Sequence, residues 1–227
     1  MPKNLRIFIT AAAAVVCAAV IFSLLFFNII PQRTYKASHF GIETYKSSVD
    51  FNNNGTDDCT DILLGARKDA KNHPTYKSEY YADAYPPDNI GVCTDVIWRA
   101  FKNAGYNLRD MINADIAAHP KDYPAVSEPD VNIDFRRVKN LDVFFKKYAV
   151  SLTTDINDIA EWQPGDIVIF GNNTHIGIIS DKRTKEGIPY VIHNGGQPNR
   201  EENYFKRAMP TAHYRFNAEL IDKNILK

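Results

Sequence analysis

The sequence predicts an α+β domain in which helices come first and an antiparallel β-meander follows, preceded by one transmembrane helix. Three observations predict this. Apolar residues recur at helical spacing in three separate segments between residues 57 and 148. Short β-branched and aromatic runs, broken by turn residues, then crowd residues 167–193. An uncharged apolar run over residues 7–30 stands apart from both. Helices followed by strands, rather than alternating with them, argue for a segregated α+β arrangement.

The chain has 227 residues, 44% of them hydrophobic, which suits one globular domain with a substantial core. Lys plus Arg number 27 and Asp plus Glu number 27, so the formal charge is zero. Without a basic excess no nucleic-acid partner is predicted, and there is no acidic solvating tail.

Residues 1–30 read as a membrane anchor. Lys3 and Arg6 precede the apolar run, which as a helix spans about 36 Å against a hydrocarbon core of roughly 30 Å. The run ends in Phe26-Phe27-Asn28-Ile29-Ile30-Pro31, with no small-residue cleavage site, so a retained anchor is expected rather than a cleaved signal peptide. Cys17 within it reads as a small apolar residue. Lys3 and Arg6 favour the amino end inside, and Arg33 and Lys36 oppose them. The domain is placed outside the membrane mainly because the chemistry below suits that side.

Residues 31–56 read as a linker with local structure, and 57–227 as the domain. Thr56-Asp57-Asp58 offers capping groups for a helix toward Asn72, with Cys59, Ile62, Leu63, Ala66 and Ala70 on one stripe. On that stripe Cys59 is a buried small hydrophobe. Residues 76–89 are aromatic and contain Pro86-Pro87, which no helix crosses. A second helix starts near Cys93 and stops before Gly105, with Val96, Ile97, Ala100, Phe101 and Ala104 on its apolar face and Cys93 at its N-terminal end. Residues 120–129 read as loop. A third helix spans 138–148, with Leu141, Phe144, Phe145 and Tyr148 on one side. The turn Gln163-Pro164-Gly165-Asp166 opens strands at 167–170, 175–180 and 190–193, the last two joined by a loop over 181–189. His213 falls in a closing strand. His39, His73 and His119 carry no readable signal.

Cys93, His175 and His193 are the candidate catalytic residues. A cysteine in a first helical turn faces amide N–H groups and the helix dipole, which favour a thiolate. If the hairpin turn centres near Thr184, His175 lies opposite His193 with Cβ atoms about 4.5–5.5 Å apart on one face. A slip of one residue would put the rings on opposite faces. His175 would then pair with the thiolate and shuttle protons. His193 would orient His175, with Asn194 as an alternative that points the other way along the strand. The Cys93 amide is placed to hold an oxyanion.

Competing readings exist for each residue. A cysteine on an apolar helix face is often simply core, and a Cys59–Cys93 disulfide would remove the nucleophile. Cys93, His175, His193 and Cys59 match no zinc spacing, so no metal or cofactor is predicted. Asp95 either stabilises the helix dipole or contacts a substrate amine, Arg136 or Arg137. Arg136 and Arg137 either bind substrate carboxylates or make structural pairs.

The runs Gly91-Val92-Cys93-Thr94-Asp95-Val96, Asn132-Ile133-Asp134-Phe135-Arg136-Arg137-Val138, Trp162-Gln163-Pro164-Gly165-Asp166, His175-Ile176-Gly177-Ile178 and Ile192-His193-Asn194 occur in that order. In them, over about residues 57–217, the chain resembles a bacterial family, domain of unknown function family 1287. That family is similar to the NlpC-type cell-wall cysteine peptidases of the papain-like superfamily. The resemblance implies a papain-like fold with Cys93, His175 and His193 as nucleophile, proton carrier and orienting residue. It also implies cleavage of amide bonds in peptidoglycan stem peptides, commonly next to D-glutamate and a diamino acid. The NlpC pattern usually has Asp-Cys-Ser-Gly where this chain has Val92-Cys93-Thr94-Asp95, which puts the substrate in question more than the nucleophile. Those peptidases also carry a tyrosine before the cysteine, near the oxyanion site; Tyr85 is the candidate, with Tyr80 and Tyr81 as competitors. The expectation is a membrane-anchored cysteine hydrolase of peptide or peptidoglycan. The alternatives are a non-catalytic cell-wall binding module, an acyltransferase or thioesterase on the same scaffold, and a structural membrane protein.

Overall fold

A computed structural model describes residues 2–30 and 32–226. The ends of the expected anchor and domain, Met1 and Lys227, and the first expected linker residue, Pro31, lie outside the described residues. The chain divides into two compact units, Met1–Arg33 and Thr34–Lys227.

The first unit is built on α1 (Lys3–Phe26), 24 residues with no buried side chain. It is long and apolar enough to cross a membrane.

The second unit is mixed α+β. Helix α2 (Asp58–Asn72) starts where the Asp57 carboxylate accepts the Thr60 N–H, and stops at His73 in the left-handed region. Helix α3 (Cys93–Asn103) starts from an extended Val92, whose N–H donates to the Asp95 carboxylate at 2.7 Å. Gly105, at φ 91°, follows it. The α2–α3 contact is close because Gly65 has no side chain. A Cβ there would lie 2.6 Å from the Asn103 Cβ and 2.8 Å from the Ala100 Cα. Helix α4 (Leu108–Ala118), capped by Asn107, has no counterpart among the expected helices. Helix α5 (Val138–Tyr148) has the expected span.

The strands are β1 (Thr75–Tyr76), β2 (Ile90–Gly91), β3 (Ala149–Ser151), β4 (Ile167–Phe170), β5 (His175–Arg183), β6 (Pro189–Ile192), β7 (Glu201–Glu202) and β8 (Pro210–Phe216). Strands β1 and β2 form a small parallel ladder. The other six form one antiparallel sheet in the order β3-β8-β4-β5-β6-β7. Strands β4 to β6 are the expected meander, β7 extends it beyond what was expected, and β8 returns to pair on the far side of β4. Alternate residues of β4 feed two cores. Ile167 and Ile169 join the large core with Ile97, Phe101, Phe144 and Phe145 from the helices. Val168 and Phe170 join a smaller one with Trp162, Ile179, Val191 and Phe205.

Residues 34–56, in the stretch expected to be a linker with local structure, are tied to the domain: Tyr35 and Arg183 exchange backbone hydrogen bonds at 2.9 Å, and the Tyr45 N–H donates to Gln163 at 3.0 Å. One expectation needs correction, the hairpin register. Ile178 pairs with Ile192 and Ile179 with Val191. Continuing that register sets His193 across from Gly177 rather than His175. The turn lies further along, with Thr184 accepting from Gly187 and donating to Ile188, and the ladder is irregular between Ile179 and Arg183. A two-residue shift preserves face, so the two histidines remain on one side of the sheet as diagonal neighbours.

Candidate active site

Helix α3 packs on β5, which brings its first residue against the start of that strand. The Cys93 thiol is 7% exposed. Three backbone N–H groups are directed at its sulfur: its own, that of Thr94, and that of Ile176, the residue after His175. Cys93 and Cys59 are both free thiols. They lie in different surroundings, since Cys59 is felt by Asp166 and Arg215. The disulfide weighed above is absent.

His175 Nε2 lies 2.8 Å from His193 Nδ1, with the ring planes at 90°. The diagonal placement allows this because Gly177, across from His193, has no side chain to block the approach. A Cβ there would sit 3.2 Å from the His193 Cβ. His193 Nε2 lies 3.1 Å from Glu202 Oε1, and Glu202 is fully buried and paired with Arg207. The sequence reading missed this carboxylate. Arg200-Glu201-Glu202 reads as a solvated charge run, yet β7 alternates. Glu201 faces Arg67 and Lys182, and Glu202 faces His193. Gln197 was missed too. Its amide donates to the His193 carbonyl at 3.1 Å and accepts from the Gly195 N–H at 2.7 Å. The Tyr204 ring covers both imidazoles, with centroids 5.2 Å from His175 and 4.3 Å from His193.

Electrostatics correct one expectation. Burial, helped by Asp95, pushes the Cys93 thiol up to about 11, against the N–H groups of Ile176, Thr94 and Cys93 itself, which pull it down. Burial, then His193 and then Arg207, lower His175 to about 3. Burial, then Arg207 and Arg200, lower His193 to about 3. All three shifts favour the uncharged thiol and uncharged imidazoles at neutral pH, against the expected ion pair.

The secondary candidates fall elsewhere. Asp95 is fully buried and forms a bidentate pair with Arg136 at 2.8 and 3.0 Å, while accepting from Trp98 at 2.8 Å. Arg136 also donates to the Glu79 carbonyl at 2.6 Å. Both charges are occupied inside the protein, so neither is placed to take a substrate amine or carboxylate. Arg137 is half exposed and lies 3.9 Å from Asp134. Asn194 points away from the imidazoles. It donates to the Pro74 and Gly91 carbonyls and accepts from Gly196, tying the end of β6 to the β1–β2 ladder just before Cys93. Tyr85 packs on Trp98 and Phe135 and donates to Asn107 at 2.8 Å, away from the thiol. Tyr81 donates to Glu79 at 2.8 Å, and Tyr80 donates to Asp130. The tyrosines that feel the charge of Cys93 are Tyr76 and Tyr204. Tyr76 pairs with Gly91 and is half exposed, so it stands at the open side of the centre.

Among the described residues no group of three or more His, Cys, Asp or Glu side chains is arranged to hold a metal ion. An open groove of about 690 Å³ lies between α2 and α3, lined by Lys68, Lys71, Arg99, Lys102 and Trp98. It includes neither Cys93 nor the two histidines, so its size is no guide to the chemistry.

The geometry defines a class: an α+β domain in which a buried helix-start thiol meets the strand that carries one of a hydrogen-bonded pair of imidazoles. The chain belongs to the family described as Domain of unknown function (DUF1287), whose model matches residues 63–216. It is similar to Uncharacterized protein YijF of Escherichia coli (strain K12), 34% identical over 165 residues, which cover 68% of this chain and 80% of that protein. No solved structure matches the chain significantly.

Proposed function

We propose that the protein is a papain-like, NlpC-type cysteine hydrolase that cleaves amide bonds, with peptidoglycan stem peptides as its substrate. One observation carries this reading. The Cys93 sulfur sits on the first amides of α3 and against β5, where His175 is held through Nε2 by His193, which leaves Nδ1 as the nitrogen available to the thiol. In the reaction the sulfur attacks the carbonyl carbon while its proton passes to His175. The Cys93 N–H stabilises the oxyanion. The C–N bond then breaks, and His175 protonates the departing amine. Water, deprotonated by the same ring, attacks the thioester to release the carboxylic acid and restore the thiol. Helix α1 would hold the domain at the membrane, on the extracytoplasmic side where peptidoglycan lies.

The test is incubation of the full chain in detergent micelles with purified peptidoglycan, read by mass spectrometry. New peptide termini are expected with the wild type and none with Cys93→Ala. Identical products from both would remove the hydrolase reading.

The depth of Cys93 and its raised pKa favour a second reading, a binding module that retains the fold without catalysis. Iodoacetamide labelling separates the two: a nucleophile reacts selectively at Cys93 with a rate that climbs with pH. No labelling of the folded protein at Cys93, with peptidoglycan still retained in a pull-down, would favour the module.

A further inference from the structure

We propose that Glu202 is a positioning residue that sets the proton arrangement of both histidines, and so makes His175 Nδ1 the unprotonated base. The kinetic consequence rests on the hydrolase reading above; the proton arrangement itself does not.

The argument follows hydrogen-bond capacity along the chain of contacts. Glu202 is fully buried and paired with Arg207, so its carboxylate serves as an acceptor only. The contact with His193 Nε2 at 3.1 Å then requires the proton on that nitrogen. A buried, uncharged His193 with hydrogen on Nε2 has a bare Nδ1. His175 Nε2, 2.8 Å from that bare nitrogen, must be the donor. With its own hydrogen on Nε2, an uncharged His175 presents a lone pair on Nδ1. Gln197 does not discriminate between the two arrangements, because its amide nitrogen lies 3.2 Å from His193 Nδ1 and 3.1 Å from Nε2; the buried carboxylate does. The reverse arrangement would put hydrogen on His193 Nδ1 and a bare Nε2 against the buried carboxylate, two acceptors facing each other without a proton. Glu202 touches neither the thiol nor His175 in any of these contacts. It acts through His193.

The experiment uses the full chain in detergent micelles, with 15N-labelled histidine and long-range 1H–15N correlation spectra at pH 7. Signals are assigned with His175→Gln and His193→Gln. In the wild type both residues are expected as Nε2–H tautomers, and a wild-type His193 carrying hydrogen on Nδ1 overturns the proposal. Glu202→Gln keeps an acceptor oxygen and is expected to retain the pattern. Glu202→Met removes it and is expected to give mixed tautomers at His193, with iodoacetamide labelling of Cys93 slowed about tenfold, the low end for loss of a histidine's outer partner. An unchanged tautomer in a folded Glu202→Met also overturns the proposal. Should that variant fail to fold by circular dichroism, the wild-type spectrum decides alone. Expected tautomers without peptidoglycan cleavage would sink the hydrolase and keep the positioning role. Cleavage with the wrong tautomers would do the opposite.

Discussion

Two regions of this molecule hold nearly the same set of groups. In one, Cys93 lies in the first turn of α3, near His175, His193, Glu202 and Arg207. In the other, Cys59 lies in the first turn of α2, near Asp166, which binds His213 at 2.9 Å and Arg215 through two contacts of 2.8 Å. Both offer a helix-start thiol, a buried imidazole, a buried carboxylate and an arginine. What separates them is what remains unused. His213 has both nitrogens occupied, Nε2 by Asp166 and Nδ1 by the Thr153 carbonyl at 2.8 Å, and its ring lies flat on Trp162 at 3.8 Å. Cys59 is pushed up to about 12 by burial and then by Asp166 and Asp57, and Gly165 closes against its backbone. His175 keeps one nitrogen available, and its region opens past the exposed Gly195 and the half-exposed Tyr76. A list of residue types does not tell the two regions apart; on the proposed reading, the nitrogen that His175 keeps available does.

The largest expected effect tests that distinction directly. His175→Ala should lower peptidoglycan hydrolysis by about 10³-fold or more, with an unfolding midpoint close to wild type. His213→Ala should do the reverse. Losing the stack and leaving Asp166 and the Thr153 carbonyl short of a partner costs about 2–4 kcal/mol, read by urea unfolding, while the fraction still folded keeps its turnover. Equal stability losses in the two variants would erase the contrast.

A smaller effect lies in the pH dependence of stability. His175 and His193 have folded-state pKa values of about 3, below the ordinary 6.5. Folding therefore favours their uncharged forms. Their contribution is fully present above pH 6.5 and is lost as pH falls from 6.5 toward 3, because the unfolded chain binds protons that the folded chain refuses. Urea midpoints should fall across that window. His193→Gln should flatten the fall, although the acidic groups keep a slope of their own. A profile identical in His193→Gln and wild type would mean that the buried imidazole carries no such penalty.

Much of this arrangement was legible along the chain, and the reasons are local. Helices α2, α3 and α5 each show an apolar stripe within one segment, α2 and α3 with end signals as well, and β4 is an unbroken apolar run after a turn, with β5 opening on a shorter one. Helix α4 carries a comparable stripe in Leu108, Met111, Ile112 and Ile116, but Gly105 before it reads as an end rather than a beginning. What escaped is tertiary. Strand β7 is two glutamates long, and only its register against β6 turns Glu202 inward. Asp95 and Arg136 both stand out in the sequence, but their mutual bidentate pair depends on how the 3₁₀ turn Asp134–Arg136 docks against α3. The hairpin register was wrong by two residues, and the conclusion survived because facing has a period of two.

Tyr85 offers the smallest and sharpest test. Analogy with NlpC-type peptidases put a tyrosine at the oxyanion position, and Tyr85 was the candidate. Its hydroxyl instead donates to Asn107, and its ring packs on Trp98. Burial raises its pKa, which marks a phenol held as a neutral donor. Tyr85→Phe keeps the ring against Trp98 and Phe135 and deletes one hydrogen bond, which costs about 0.5–1.5 kcal/mol at most. Turnover should stay within twofold of wild type. Tyr76→Phe is the counterpart, since Tyr76 stands beside Gly91 at the open side of the centre. If Tyr85→Phe lowered turnover and Tyr76→Phe did not, substrate would have to enter from the Trp98 side of α3, and the assignment of Tyr76 to the mouth of the site would be reversed.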